Sequence, residues 1–255
     1  MTDTPPDAPT AAILVIGNEI LSGRTKDANL GWLAERLYAL GIRVREARVV
    51  PDVKADVVAA VNALRTRWTY VFTTGGIGPT HDDITAECVA EAFGVPLEQN
   101  EEARRRLEAH YPPGQLNAAR LRMANAPVGA TLIDNPVSKA PGFRIGNVHV
   151  MAGVPSIMHA MFDGIAPTLV GGPPMHARTV RCLLPEGIIA EGLSAVQDRF
   201  PAVEIGSYPF YRNQSFGVSL VLRATDEPEL EAATAAVADL VRGLGGDPVV
   251  ETGQG

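Results

Sequence analysis

The residues best placed to do chemistry lie in one stretch, Thr73-Thr74-Gly75-Gly76-Ile77-Gly78-Pro79-Thr80-His81-Asp82-Asp83-Ile84-Thr85. An apolar run, Tyr70-Val71-Phe72, enters a turn with three glycines in four residues. Two adjacent carboxylates follow, and Ala86 to Phe93 then reads as a helix. A strand that opens through glycines onto a helix start builds a concave anion site. Glycine lets the main chain approach a phosphate, free N–H groups point at it, and the helix dipole favours negative charge. The Asp pair adds ligands for a hard cation such as Mg²⁺ that bridges phosphate oxygens. The plainer reading is a strand-to-helix turn whose glycines serve positive φ and whose Asp caps the helix. One cap accounts for one Asp, however, and a simple turn rarely needs Gly75, Gly76 and Gly78 together. The loop is no Walker loop, since no Gly-Lys-Ser/Thr follows, and its spacing is wrong for the dinucleotide fingerprint.

The elements that must position this loop can be read on either side of it. Ile13 to Ile16 is a short buried strand bounded by Gly17. Leu30, Leu33, Leu37 and Leu40 share a helical face, Ile42 to Val50 is a strand closed by Pro51-Asp52, and Val53, Val57, Val61 and Leu64 mark a second amphipathic helix. Strands alternating with helices at this spacing imply right-handed βαβ units and a mainly parallel sheet covered on both faces. The loops after Ile16, Val50 and Thr74 leave strand ends, where such folds place their ligands. Asn100 to Ala126 turns polar and helical, with Arg104-Arg105-Arg106 expected as a solvated face. Thr131 to Ile133 and Val148 to Met151 read as strands, Ile145-Gly146-Asn147 as a turn, and a helix starts at Pro155.

Several stretches then agree with a known family in order and spacing. Gly75 to Thr85 resembles the signature of the molybdenum-cofactor-biosynthesis (MoaB/Mog) domain, and its Pro-Thr-x-Asp-Asp wording that of the CinA (competence/damage-inducible protein A) branch. Ile16 to Gly23, Asp27-Ala28-Asn29, Val49-Val50-Pro51-Asp52, Asn135 to Phe143 and Gly153-Val154-Pro155-Ser156 resemble the family's other loops. Two positions depart from it: Ala152 stands where a Pro is usual, and Ile157 where a Glu is common. The resemblance implies catalytic roles for Asp83 and Asp52. It implies ligand binding by Gly17, Glu19, Gly75, Gly76, Gly78, Thr80, Asn135, Ser138, Lys139, Gly153, Pro155 and Ser156, and a divalent metal, Mg²⁺ by preference, on Asp83, Asp82 and Asp27. On the residues alone a capping Asp is the commoner reading of Asp52, Glu19 and Asp27 are equally well surface acids, and His81 is a plain loop histidine. Lys139 is one of three lysines against 19 arginines, and a compact point charge suits a phosphate.

Two functions follow from the resemblance. One is metal-dependent hydrolysis of a nucleotide diphosphate such as ADP-ribose or FAD, the ion bridging the phosphates and acidifying a water. The alternative is molybdopterin binding or adenylylation in molybdenum cofactor biosynthesis; an inactive regulatory remnant is a third reading. A dimer or trimer is expected by the same resemblance.

Gly171-Gly172-Pro173-Pro174 is the best boundary in the chain, dividing a core over 11–172 from a small domain over 173–255, with 1–10 as a disordered lead-in. Beyond the break, strands at 178–184, around Ile205 and at 216–224 and helices at 187–199 and 227–244 give a βαββα order that resembles a ferredoxin-like sandwich. The amidohydrolase domain of the CinA branch has no room here. A net charge of −7 argues against nucleic acid or a membrane surface as partner, and no apolar run approaches membrane-spanning length. Cys88 and Cys182 stand alone without a metal or redox pattern, the N-terminus carries no signal peptide, and a cytoplasmic protein is expected.

Overall fold

The computed structural model describes residues 8–212 and 215–253. Its contacts divide the chain into two compact units, one of residues 9–37 and 42–171 and another that joins residues 38–41 to those from 172 onward. The first runs β1 (Thr10–Ile16), α1 (Asn18–Leu21), α2 (Asn29–Ala39), β2 (Arg43–Val50), α3 (Lys54–Arg65), β3 (Tyr70–Thr74) and α4 (Thr85–Phe93). It continues through β4 (Leu97–Gln99), α5 (Glu101–His110), α6 (Ala118–Leu121), β5 (Asn125–Pro127), β6 (Thr131–Ile133), β7 (Gly142–Ile145), β8 (Val148–Met151) and α7 (Pro155–Ile165).

Six strands form one sheet in the order β2-β1-β3-β8-β7-β6, parallel from β2 to β8 and antiparallel at β7. Every residue from Ala11 to Ile16 is buried. Such an unbroken apolar run is what a strand covered on both faces requires. Ala12, Leu14 and Ile16 face Val57, Val61 and Leu64 of α3 and Val89 of α4. On the other face Phe72 meets Phe162 of α7 edge-on at 5.8 Å, and Phe162 meets Trp32 of α2 at 5.5 Å. Helices on both faces make the three-layer α/β core expected from the sequence. Leu33 and Leu37 are fully buried, and the outer pair of that stripe, Leu30 and Leu40, only half-buried.

Two features were not foreseen. Gly142–Ile145, read as loop and turn, is a strand, and only Gly146-Asn147 turn. Inside the polar stretch, Asn125–Pro127 pairs antiparallel with Leu97–Gln99 in a small sheet of its own. The arginine triplet is the solvated face expected. Arg104 pairs with Glu101 and Glu108, Arg105 with Glu102, and Arg106 with Glu102 and Asp134.

The second unit contains β9 (His176–Cys182), α8 (Glu186–Arg199), β10 (Glu204–Arg212), β11 (Ser215–Ala224), α9 (Glu227–Gly243) and β12 (Val249–Gly253). Its four strands are antiparallel in the order β10-β11-β9-β12, a split βαβ sandwich. The strand β12 completes the pattern and was missed in the sequence, where Val249-Val250 is too short an apolar run to announce it. Val180, Val218, Leu220 and Leu222 on one face of the sheet bury Ile189, Val196, Leu230 and Val237 of the two helices. Asp226 caps α9 by accepting the Glu229 N–H at 2.7 Å. Pro209 lies within β10, the outermost strand on its side, opposite Val218. Among the described residues no helix is long and apolar enough to cross a membrane.

His149 on β8 is buried against Phe72, with ring centroids 5.0 Å apart. Burial, and then the charge of Arg144, hold its imidazole down at about 4. The native state therefore keeps it neutral while the unfolded chain protonates near 6.5. The stability this withholds is present above the unfolded value and is lost as pH falls from about 6.5 towards about 4. Urea unfolding at about pH 7 and about pH 4.5 should show His149→Leu losing less stability on acidification than wild type, by roughly 2–3 kcal/mol. Equal losses would show that His149 does not titrate in this way.

Candidate functional site

Adjacent parallel strands end side by side, and the loops that leave them meet. Gly17 donates its N–H to the Val50 carbonyl at 3.1 Å, and the N–H of Asn18 goes to Oδ2 of Asp52 at 2.8 Å. Asp52 is thus no helix cap: α3 begins after Val53 with no side chain capping it, and the carboxylate ties the first loop to the second instead. The Glu19 carboxylate folds over Gly17, where a Cβ would lie 2.6 Å from both of its oxygens.

After β3 the chain turns back through Gly75 (φ 103) and Gly76 (φ 67). A Cβ on Gly75 would strike the Ile16 carbonyl oxygen, and one on Gly76 the Thr85 hydroxyl. Angle and space both demand glycine. Thr85, fully buried at the start of α4, donates its hydroxyl to the Gly75 carbonyl (2.9 Å) and its N–H to the Gly76 carbonyl (3.0 Å). The N–H of Gly75 goes to the Met151 carbonyl at 3.2 Å, and Gly153 approaches so closely that a Cβ there would be 3.2 Å from Gly75 Cα. Asn29 clamps this contact by donating Nδ2–H to the Gly153 carbonyl at 2.8 Å. Past the crossing, the N–H groups of Gly76, Ile77 and Gly78 have no acceptor among the described residues.

Asp83 closes the loop. Its Oδ2 accepts from the N–H of Thr80 at 2.8 Å and from the Thr80 hydroxyl at 2.6 Å. The cap position of α4 is Ile84, with no side-chain cap, so the helix does not use Asp83. Asp82 is exposed, with His81 3.9 Å away. The Thr80 side chain, then its own N–H and the His81 charge hold the Asp82 carboxyl below the usual range. A hydroxyl has one proton, so Thr80 lowers Asp82 only when it turns from Asp83, which it meets at 2.6 Å; the Asp82 N–H and the His81 charge act on Asp82 in either case. Because β1 lies between β2 and β3, the loops of Asp52 and Asp83 leave strands two spacings apart, about 10 Å.

Residues 12–170 match the family described as probable molybdopterin binding domain. The chain belongs to that family. Residues 174–245 of this molybdopterin-binding-domain protein match a second family, the middle domain of FAD synthase. A CinA-like protein of Citrifermentans bemidjiense is 38% identical over 234 residues, 87% of this chain and 56% of that protein. A probable FAD synthase of Caenorhabditis elegans is 31% identical over 267 residues, 93% of this chain and 51% of that one. The chain therefore spans about half the length of these two relatives. The crystal structure of CinA from Thermoplasma acidophilum, a protein described as of unknown function, aligns with a TM-score of 0.60 at 33% identity, over 63% of this chain and 98% of that one. The CinA-like branch read from Pro-Thr-x-Asp-Asp agrees with these matches.

The remaining expected residues of the molybdopterin-binding domain divide between scaffold and surface. Asn135 is buried and holds its own loop: Oδ1 accepts the N–H groups of Val137 and Ser138, and Nδ2 donates to Ser138 Oγ (2.6 Å) and the Ala140 carbonyl (2.8 Å). This bend puts the exposed Lys139 at φ 61, a left-handed conformation costing a side-chain-bearing residue about 1–2 kcal/mol. Pro155 and Ser156 open α7 just beyond Gly153. Asp27 accepts the N–H of Leu30 at 2.9 Å and so holds the start of α2. Among the described residues no three His, Cys, Asp or Glu side chains gather to hold a metal, so Asp83, Asp82 and Asp27 do not form a closed cage. A divalent ion held by one or two of these carboxylates would need phosphate oxygens and water to complete its shell.

A cavity of about 160 Å³ opens beside the turn; its lining includes Gly76, Ile77, Gly78, Asp83, Glu87, Arg122 and Asn125. Glu87, Arg122 and Asn125 were not foreseen. Nothing in their spacing separates Arg122 from the solvated arginines upstream; the pairing of β4 with β5 brings it to the cavity.

Thr85→Val removes the hydroxyl but keeps the volume, leaving the Gly75 carbonyl without this donor. The expected loss is about 1–3 kcal/mol in urea unfolding, with Thr85→Ser close to wild type. A Val variant as stable as wild type would show that this bond does not hold the turn.

Proposed function

We propose that this molybdopterin-binding-domain protein binds a phosphate-bearing nucleotide or pterin against the Gly75–Gly78 turn and hydrolyses a nucleotide diphosphate such as ADP-ribose or FAD. The observation that carries this reading is the row of N–H groups on Gly76, Ile77 and Gly78, free of protein acceptors and beside a carboxylate that caps no helix. Donors fixed in advance cost no reorganisation when charge builds on a phosphate oxygen, and the N-terminus of α4 adds to the same field. Thr80 fixes the orientation of Asp83. Asp52, which accepts from the Asn18 N–H, would act from the neighbouring loop. In the reaction, water oxygen adds to one phosphorus while the bridging P–O bond breaks, leaving two phosphate-ended products and a proton for a carboxylate or solvent to take. A divalent cation, when bound, supplies charge neutralisation between the phosphates and Asp83. As part of the same reading the protein works in the cytoplasm as a dimer or trimer.

The second reading is a carrier or adenylylating protein for molybdopterin. The family description favours it, as does a probable FAD synthase among the relatives. Asp83→Asn separates the two. Asn keeps an acceptor for Thr80 and so the loop, but lacks the charge to hold a divalent ion. With ADP-ribose or FAD and Mg²⁺, turnover should fall roughly a thousandfold, several kcal/mol of barrier, while nucleotide affinity changes little. Wild-type protein that retains molybdopterin and cleaves no dinucleotide with Mg²⁺, Mn²⁺ or Co²⁺ would decide for the carrier.

A further inference from the structure

The cavity beside the glycine turn has three charged side chains in its lining, Asp83, Glu87 and Arg122. Glu87 is engaged by Lys54 at 2.7 Å, and Lys54, itself shared with Glu91, does not line the cavity. Arg122 is therefore the one cationic group among the lining residues. Its guanidinium is exposed and makes no hydrogen bond or ion pair among the described residues, unlike Arg104, Arg105 and Arg106, each held by a carboxylate. Lys139, the lysine expected to meet a phosphate, is absent from this lining.

The backbone that carries Arg122 is fixed from both sides. Asn117 caps the preceding helix by accepting the Arg120 N–H at 2.9 Å, and the Ala124 carbonyl accepts the N–H of Asn100 at 2.9 Å. Asn125 is then paired with Gln99 in the small sheet. A fixed main chain thus carries an unpaired planar fork on a residue that lines the same cavity as Gly76, Ile77 and Gly78. The fork suits a phosphate bidentately, and without it the remaining charged groups of the lining are carboxylates that repel anions.

We propose that Arg122 is a specificity-determining residue that binds a second anionic group of the ligand, so that this site selects diphosphates over monophosphates. One phosphate rests on the turn N–H groups and the next on the guanidinium. The inference rests on the reading above for the place of the ligand and is independent of hydrolysis.

Calorimetric titration of the full chain with inorganic pyrophosphate and with inorganic phosphate, each with Mg²⁺ and with a chelator, tests it on wild type, Arg122→Ala, Arg122→Lys and Lys139→Ala. Arg122→Ala should weaken pyrophosphate about tenfold or more and phosphate less than about threefold, with Arg122→Lys between. Lys139→Ala should stay within about threefold of wild type, and unchanged thermal melting checks that each variant folds. Wild type that binds no pyrophosphate, an Arg122→Ala variant that binds it as before, or a larger loss from Lys139→Ala would each overturn the assignment. The outcomes also separate from the proposed hydrolysis. Arg122-dependent pyrophosphate binding by protein that cleaves no dinucleotide would remove the hydrolase and leave the anion site. Dinucleotide cleavage unaltered by Arg122→Ala would do the reverse.

Discussion

The contact of Gly75 with Ile16, Thr85 and Gly153 is the constraint on which the rest of the site depends. Three other segments of the chain touch one stretch of main chain that has no room for a side chain. The crossing uses up the Gly75 N–H and the Gly75 and Gly76 carbonyls internally. What emerges beyond it is a main chain with its donors unspent and its direction fixed. Sheet order supplies the coincidence: β1 lies between β2 and β3, so the loops leaving these three strands must assemble around the end of the middle one.

Charge then has to be reconciled with that geometry. On the proposed reading, Glu19, Asp52, Asp82 and Asp83 all lie on the loops that would receive an anion, and alone they would repel one. Much of that acidity is already committed: Asp52 accepts from Asn18, Asp83 from Thr80, and Glu87 meets Lys54. On the proposed reading, free amides, a helix N-terminus and the Arg122 guanidinium would offset the remainder, and a divalent ion arriving with the phosphates would neutralise the carboxylates that are left.

Much of this was legible in the sequence because period and composition report burial directly. Leu33 and Leu37, Val57, Val61 and Leu64, and the run from Ile13 to Ile16 are buried as their spacing requires. The glycine turn was legible because glycine clusters have few other causes. Less could be read where one residue type serves several ends. Asp27 at a helix start and Asp52 after a strand look alike on paper, yet one caps α2 and the other bridges two loops. Asn135 looked like a ligand residue, and its amide is consumed within its own loop. Arg122 reaches the cavity through two strands of three residues each, too short for any periodicity to declare.

Pro209 has a consequence outside the site. Pro209 sits opposite Val218 on the outermost strand of its side, and a residue without an N–H is tolerated in a ladder where its missing donor would point outward. A strand added along that side would meet a carbonyl with no hydrogen to receive and a ring where the backbones must close. The outer margin of this four-stranded sheet is therefore a poor template for templated growth or copy-to-copy strand exchange, although Tyr208 and Tyr211 leave it well exposed. One imino acid guards a nine-residue strand against polymerisation.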